Sequence, residues 1–337
     1  MPDQQTESLV DVLDKPRPSE ERSPSFKLAA FGAALVVVLF AGYGIGRLNE
    51  ATPTRSAQPA AEPADDGHGH GAAPAPSHDD TGTAPHEHNA DGSVTPAGAR
   101  SGAGAAVGGL TVTSDGLTMV PAATTFAAGK KQTLSFAIRG AGNAPVTTFA
   151  VVHDKPLHLI VVRRDLSGFQ HVHPAMTPDG TWSVPLTFAA PGSYRAIADF
   201  TAVVGGQQVP ATLGVDLTVP GDYRPVALPA PVPQAVTGAF QVAYEGEPRI
   251  GSTQPLFMTV TTTGRPARLE PYLGAFGHLV VMREGDLGYV HVHPEERLVD
   301  GKVKFWLAAP GPGRYRMFFD FQVAGQVHTA SWTAEVS

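Results

Sequence analysis

The chain reads as all-β: two tandem immunoglobulin-like β-sandwich domains after a single transmembrane helix and a disordered linker. Three observations predict this. From residue 110 onward, short runs such as LTVT, QTLSFAI, LHLIVV and TWSVPLTF alternate with PDG, GN and PG turn signals, the texture of strands joined by tight connections. The second half repeats the first: HLIVVRRDLSGFQHVHP (His158 to Pro174) aligns without gaps to HLVVMREGDLGYVHVHP (His278 to Pro294), and YRAIADF recurs as YRMFFDF. Self-similarity of that kind marks a duplicated unit. Residues 28–46 carry no charge and are strongly apolar; as a helix they extend about 28 Å, close to the ~30 Å hydrocarbon core of a bilayer.

Residues 1–27 form a cytoplasmic tail, because Lys15, Arg17, Arg22 and Lys27 precede the apolar stretch while only Arg47 and Arg55 follow it closely, and cationic flanks stay inside. The membrane contact is thus residues 28–46, single-pass, with the rest of the chain extracellular. A cleaved signal peptide is the rival reading, against which stand the long polar leader and the length of the apolar run. Residues 47–109, rich in Ala, Pro, Gly, Asp and Ser, cannot bury enough apolar surface to offset chain entropy and are expected to be a disordered linker. Its His68, His70, His78, His86 and His88 fit either a solubilising spacer or a loose metal-gathering tract. The first sandwich is placed at 110–221, a stiff Pro-rich linker at 222–235 and the second sandwich at 236–337.

With 337 residues, a net charge of -7 and no basic run outside the N-terminal third, nucleic acid is a poor partner. The absence of cysteine excludes disulfides, thiolate zinc sites, iron–sulfur clusters and catalytic thiols. A metal would have to be held by His, Met, carboxylate or backbone.

The repeated segment supplies such ligands. If the RRDLSG loop closes a hairpin with Val162 opposite Phe169, then Ile160 faces His171 and His158 faces His173. Paired residues, and residues two apart on one strand, share a face. His158, His171 and His173 therefore point the same way, and His278, His291 and His293 do so in the second copy. A one-residue slip would scatter them. Three imidazoles on a stiff sheet suit Cu(II) or Zn(II), and an extracytoplasmic setting favours copper. The alternative is a satisfied polar cluster in which the histidines hydrogen-bond to backbone and to one another.

Met282 and Met176 could add a thioether to the two sites, or could simply fill gaps in packing. Asp199 and Asp320 sit in apolar strands, where a carboxylate without compensation is costly; each either orients or ligates with a histidine, or lies at a wet edge. His153 occurs only in the first copy and His328 only in the second, so a ligand role for either would make the sites unequal.

On HLIVVRRDLSGFQHVHP and PYLGAFGHLVVMREGDLGYVHVHP the chain resembles a group of bacterial, especially actinobacterial, membrane-anchored or secreted proteins. Their Ig-like domains are similar to YtkA-like domains, and some members are described as heavy-metal-binding. The resemblance spans about residues 111–337 and implies extracytoplasmic metal handling, with copper the expected ion and no established reaction. Three functions follow as expectations: a non-catalytic protein that buffers, stores or relays copper; an envelope scaffold or adhesion protein with structural histidines; and a copper enzyme with dismutase-like chemistry. The last is disfavoured because no paired acid and base, nucleophile arrangement or second ligand set accompanies the triad. No feature of the sequence points to a particular protein partner.

Overall fold

The computed structural model describes residues 86–88, 94–96, 107–290 and 292–337. Contacts divide the chain into residues 1–74 and 75–337, and every described residue belongs to the second unit. The tail, segment 28–46 and most of the linker lie outside the described residues, among which no helix is long and apolar enough to cross a membrane.

Strands β1 (His86–His88) and β2 (Val94–Pro96) pair antiparallel, and β3 (Val107–Gly108) follows. These strands fall within residues 47–109, the stretch expected from sequence to be a disordered linker. Val94 and Thr95 are β-branched, which suits them to a strand.

The first sandwich continues with β4 (Thr113–Ser114), β5 (Leu117–Pro121), β6 (Lys131–Arg139), β7 (Leu157–Arg163) and β8 (Gln170–Val172). It closes with β9 (Ala175–Met176), β10 (Thr181–Thr187), β11 (Gly192–Val204) and β12 (Gln207–Val219). One sheet has the order β4-β5-β6-β10-β9 and the other β12-β11-β7-β8.

The second sandwich opens with β13 (Gln234–Thr237), β14 (Phe240–Glu245), β15 (Gln254–Thr262), β16 (Arg265–Pro266) and β17 (His278–Arg283). Then come β18 (Tyr289–Val290), β19 (His293–Pro294), β20 (Val303–Leu307), β21 (Gly313–Val323) and β22 (Gln326–Val336). Its sheets run β13-β14-β15-β20-β19, with β16 beside β15, and β22-β21-β17-β18-β3.

Both strand orders match the immunoglobulin arrangement, with an A-B-E-D sheet facing a G-F-C-C′ sheet. The Tyr194 hydroxyl donates to the Ala190 carbonyl at 2.7 Å and the Tyr315 hydroxyl to that of Gly311 at 2.7 Å, the corner that pins the F strand in such sandwiches. Each module closes its own core between its sheets. Phe136, Trp182, Leu159 and Val161 fill the first, and Phe305, Phe319, Val281 and Trp332 the second.

The two modules are packed against each other rather than held apart. Leu159 and Val161 face inward, so Ile160 and Val162 must face outward, and the same alternation turns Val280 and Met282 outward in β17. These residues join Ile197, Leu287, Tyr289 and Phe318 in a third apolar cluster formed by the outer faces of both G-F-C-C′ sheets. Phe169 stacks flat on Phe318 with ring centroids 3.9 Å apart. The Pro-rich linker runs along this seam: Leu228 packs on the cluster, the Val226 amide donates to Asp165, and the Val232 amide to Thr333.

β3 pairs with β18 of the second module, while the Gly109 amide donates to Thr212 of the first. This crossing needs small residues. A Cβ on Gly214 would come within 2.0 Å of the Gly109 carbonyl oxygen, and Gly109 itself adopts a φ of 71°, which strongly favours glycine.

Candidate metal centre

In the first module the hairpin register is the expected one. Ile160 lies opposite His171 and Leu159 opposite Val172, so the tight loop sets the pairing and the side-chain alternation brings the imidazoles to one face. That face is the outer one, in the seam. His158, His171 and His173 offer ring nitrogens that all lie within 4.8 Å of one another.

His158 Nδ1 is 3.2 Å from His171 Nε2 and 3.2 Å from His173 Nε2. Tetrahedral coordination with metal–nitrogen bonds of 2.0–2.1 Å separates ligand nitrogens by roughly 3.3 Å.

The outer partners decide which nitrogens carry lone pairs. His158 Nε2 faces the Val152 carbonyl at 3.1 Å, and His171 Nδ1 faces Asp320 Oδ2 at 2.8 Å. Carbonyl and carboxylate oxygens only accept, so each facing nitrogen bears the proton. In neutral rings the lone pairs are then on His158 Nδ1 and His171 Nε2, pointed at each other. Two lone pairs at that distance repel unless a proton or a metal cation lies between them. A carboxylate holding the far nitrogen of a ligating histidine is the arrangement that fixes tautomer and raises ligand basicity. Burial, followed by the neighbouring His171 and His158, pushes the pKa of His173 down to about 3, so that ring stays neutral.

Asp320 belongs to the second module. It lies opposite His278 on β21, its side chain is 4% exposed, and its other oxygen accepts from Thr329 Oγ1 at 2.5 Å. It is thus a buried, bonded carboxylate and not one at a wet edge. Asp199 holds the equivalent place opposite His158. It accepts from Thr212 Oγ1 at 2.8 Å and, across the seam, from the Tyr289 hydroxyl at 3.1 Å.

The second copy is only partly described. His278 is buried, and its Nε2 donates to the Leu273 carbonyl at 3.2 Å. Burial, then His153, His171 and His158, hold its pKa well below the ordinary imidazole value. His291 lies outside the described residues. For His293 the backbone places it in β19, paired with Trp306 of the A-B-E-D sheet.

The remaining candidates separate. Met282 is buried in the apolar seam. Met176 packs on the first core and lines an open cleft of about 390 Å³ with Trp182 and Pro174. His328 lies against Phe240 and Phe321, with ring centroids 4.7 and 5.5 Å away. It is paired to Phe321, next to Asp320 on β21, and so falls on the opposite face of the strand from that carboxylate. His153, by contrast, is part of the cluster, 6.1 Å from His158 and 5.3 Å from His278 between ring centroids.

Fold and site together define a protein of two immunoglobulin-like sandwiches whose joined outer sheets carry a three-histidine cluster able to hold a metal ion. The chain belongs to the family of the domain of unknown function DUF8832, whose model matches residues 111–219 and again 234–337.

No curated protein matches the sequence. Similar solved structures include the Escherichia coli adhesin FdeC, at 16% identity and a TM-score of 0.23 over 67% of this chain and 65% of that one. The Yersinia pseudotuberculosis adhesin InvE aligns at 13% identity and a TM-score of 0.20, over 69% and 61% respectively. A Corynebacterium diphtheriae protein described as membrane anchored aligns at 10% identity and 0.21, over 66% and 59%. The chain thus spans less than two thirds of the length of each of these three.

Proposed function

We propose that this protein is a membrane-anchored, extracytoplasmic metal-binding protein that buffers or relays copper, with His158, His171 and His173 as ligands and no catalytic turnover. One observation carries the reading: ring nitrogens of His158, His171 and His173 converge within 4.8 Å of one another, the spacing that a shared cation requires. The all-imidazole donor set supports copper, with zinc as the competing ion. The uncharged stretch 28–46 supports anchorage. The resemblance to actinobacterial proteins with YtkA-like, heavy-metal-binding domains supports the same assignment.

The test is calorimetric titration of the full chain with Cu(II) and Zn(II), beside a His171→Ala/His173→Ala variant. A tight equivalent lost in the variant is the expected result. Because the chain carries further imidazoles at His68, His70, His78, His86 and His88, the comparison with the variant decides. Indistinguishable titrations refute the assignment and leave the histidines a structural role, as in a scaffold or adhesion protein.

A further inference from the structure

Among the described residues, the triad accounts for three of the imidazoles in the seam, and two more stand beside it. His278, from the second module, has its ring centroid 5.3 Å from His153, 5.9 Å from His158 and 6.0 Å from His171. Two imidazoles bound to one tetrahedral ion have ring centroids about 5 Å apart, given bonds of 2.0–2.1 Å. The triad's own separations, 4.9 to 5.5 Å, bracket that figure, and the pair of His153 and His278 is spaced the same way.

The tautomer of His278 is set as that of His158 is. Its Nε2 donates to a carbonyl, so the lone pair sits on Nδ1, in a ring only 7% exposed. His153 reaches the seam from the turn closed by Val152 and Lys155, where both His153 and Asp154 have positive φ. The matching turn of the second module, between Tyr272 and Ala275, packs against it through Gly274.

The five imidazoles among the described residues exceed the four positions of one tetrahedral ion. We infer that the seam holds two cations: one in the triad, and a second, also a late first-row transition ion, shared between His153 of the first module and His278 of the second. This rests on the triad being a metal site. It adds that the second module contributes a ligand as well as the carboxylate on His171, so that the complete centre exists only where the modules meet.

The experiment is electron paramagnetic resonance of the full chain loaded with Cu(II) chloride. Two copper ions this close give a spin-coupled signal with a half-field transition, whereas ions on the N-terminal histidines remain isolated. The coupled signal is expected in the wild type and lost in both His278→Ala and His153→Ala, each of which keeps one more isolated copper equivalent than the same variant with His171 and His173 also replaced. His153 is partly exposed, so its variant stays informative if His278→Ala fails to fold. Isolated signals alone in the wild type, or coupling that survives both substitutions, overturn the second site while leaving the triad intact. Copper retention indifferent to His171 and His173 overturns the triad as well.

Discussion

Asp320 in the second module accepts a hydrogen bond from His171 in the first, at 2.8 Å across 149 residues of sequence. The carboxylate that orients this histidine therefore comes from the other domain. Asp320→Ala leaves His171 free to rotate and to change tautomer, and outer partners of this kind are worth about 10- to 100-fold in metal affinity. Calorimetric titration of the variant should show that loss, and an unchanged affinity would remove Asp320 from the site.

Metal should stabilise the folded chain. A ligand that binds only the native state adds about 2.7 kcal/mol when present at 100 times its dissociation constant. Thermal melts with and without Cu(II) are expected to separate for the wild type and to separate less for His171→Ala/His173→Ala. Coincident wild-type melts would favour purely structural histidines.

The seam itself can be weakened without touching a histidine. Phe318 is 4% exposed and stacked on Phe169, and truncating a buried Phe to Ala costs about 3–5 kcal/mol. Phe318→Ala should lower the denaturant midpoint and also weaken metal binding, because docking delivers Asp320. Full affinity in a chain shown by small-angle scattering to have parted modules would uncouple the two.

Gly214→Ala is expected to expel the segment that crosses between the modules, since its new methyl would meet the Gly109 carbonyl oxygen at 2.0 Å. Overpacking of this sort costs about 1–3 kcal/mol. Hydrogen exchange at the amides of Gly109 and Val290 would accelerate; protection equal to wild type would show that the segment tolerates the methyl group.

The local part of the site was legible in the sequence because a short loop and a period of two leave little freedom. Once RRDLSG closes the hairpin, Ile160 opposite His171 follows, and so does the convergence of three rings. What lay beyond such reasoning was the partner of that face. The clue was present in LHLIVV and HLVVM, whose unbroken apolar character means burial on both sides of the sheet, yet nothing local says what covers the second side. Asp320 and Asp199 were recognisable as carboxylates in need of a partner. That Asp320 would meet a histidine of the other repeat, and Asp199 a tyrosine, depends on docking geometry. His153 stood out only as a residue with no counterpart in the second copy, and its place in the cluster comes from a turn that pairing rules do not position.

The short strand at Val107–Gly108 belongs by pairing to the second module, although in sequence it enters the first. Tension arriving from the N-terminal side of the chain would accordingly be felt first at Tyr289 and Val290, beside the histidine seam, before any strand of the first sandwich were loaded. A molecule tethered at that end and pulled from its surroundings would strain the joint between its modules ahead of its domain cores.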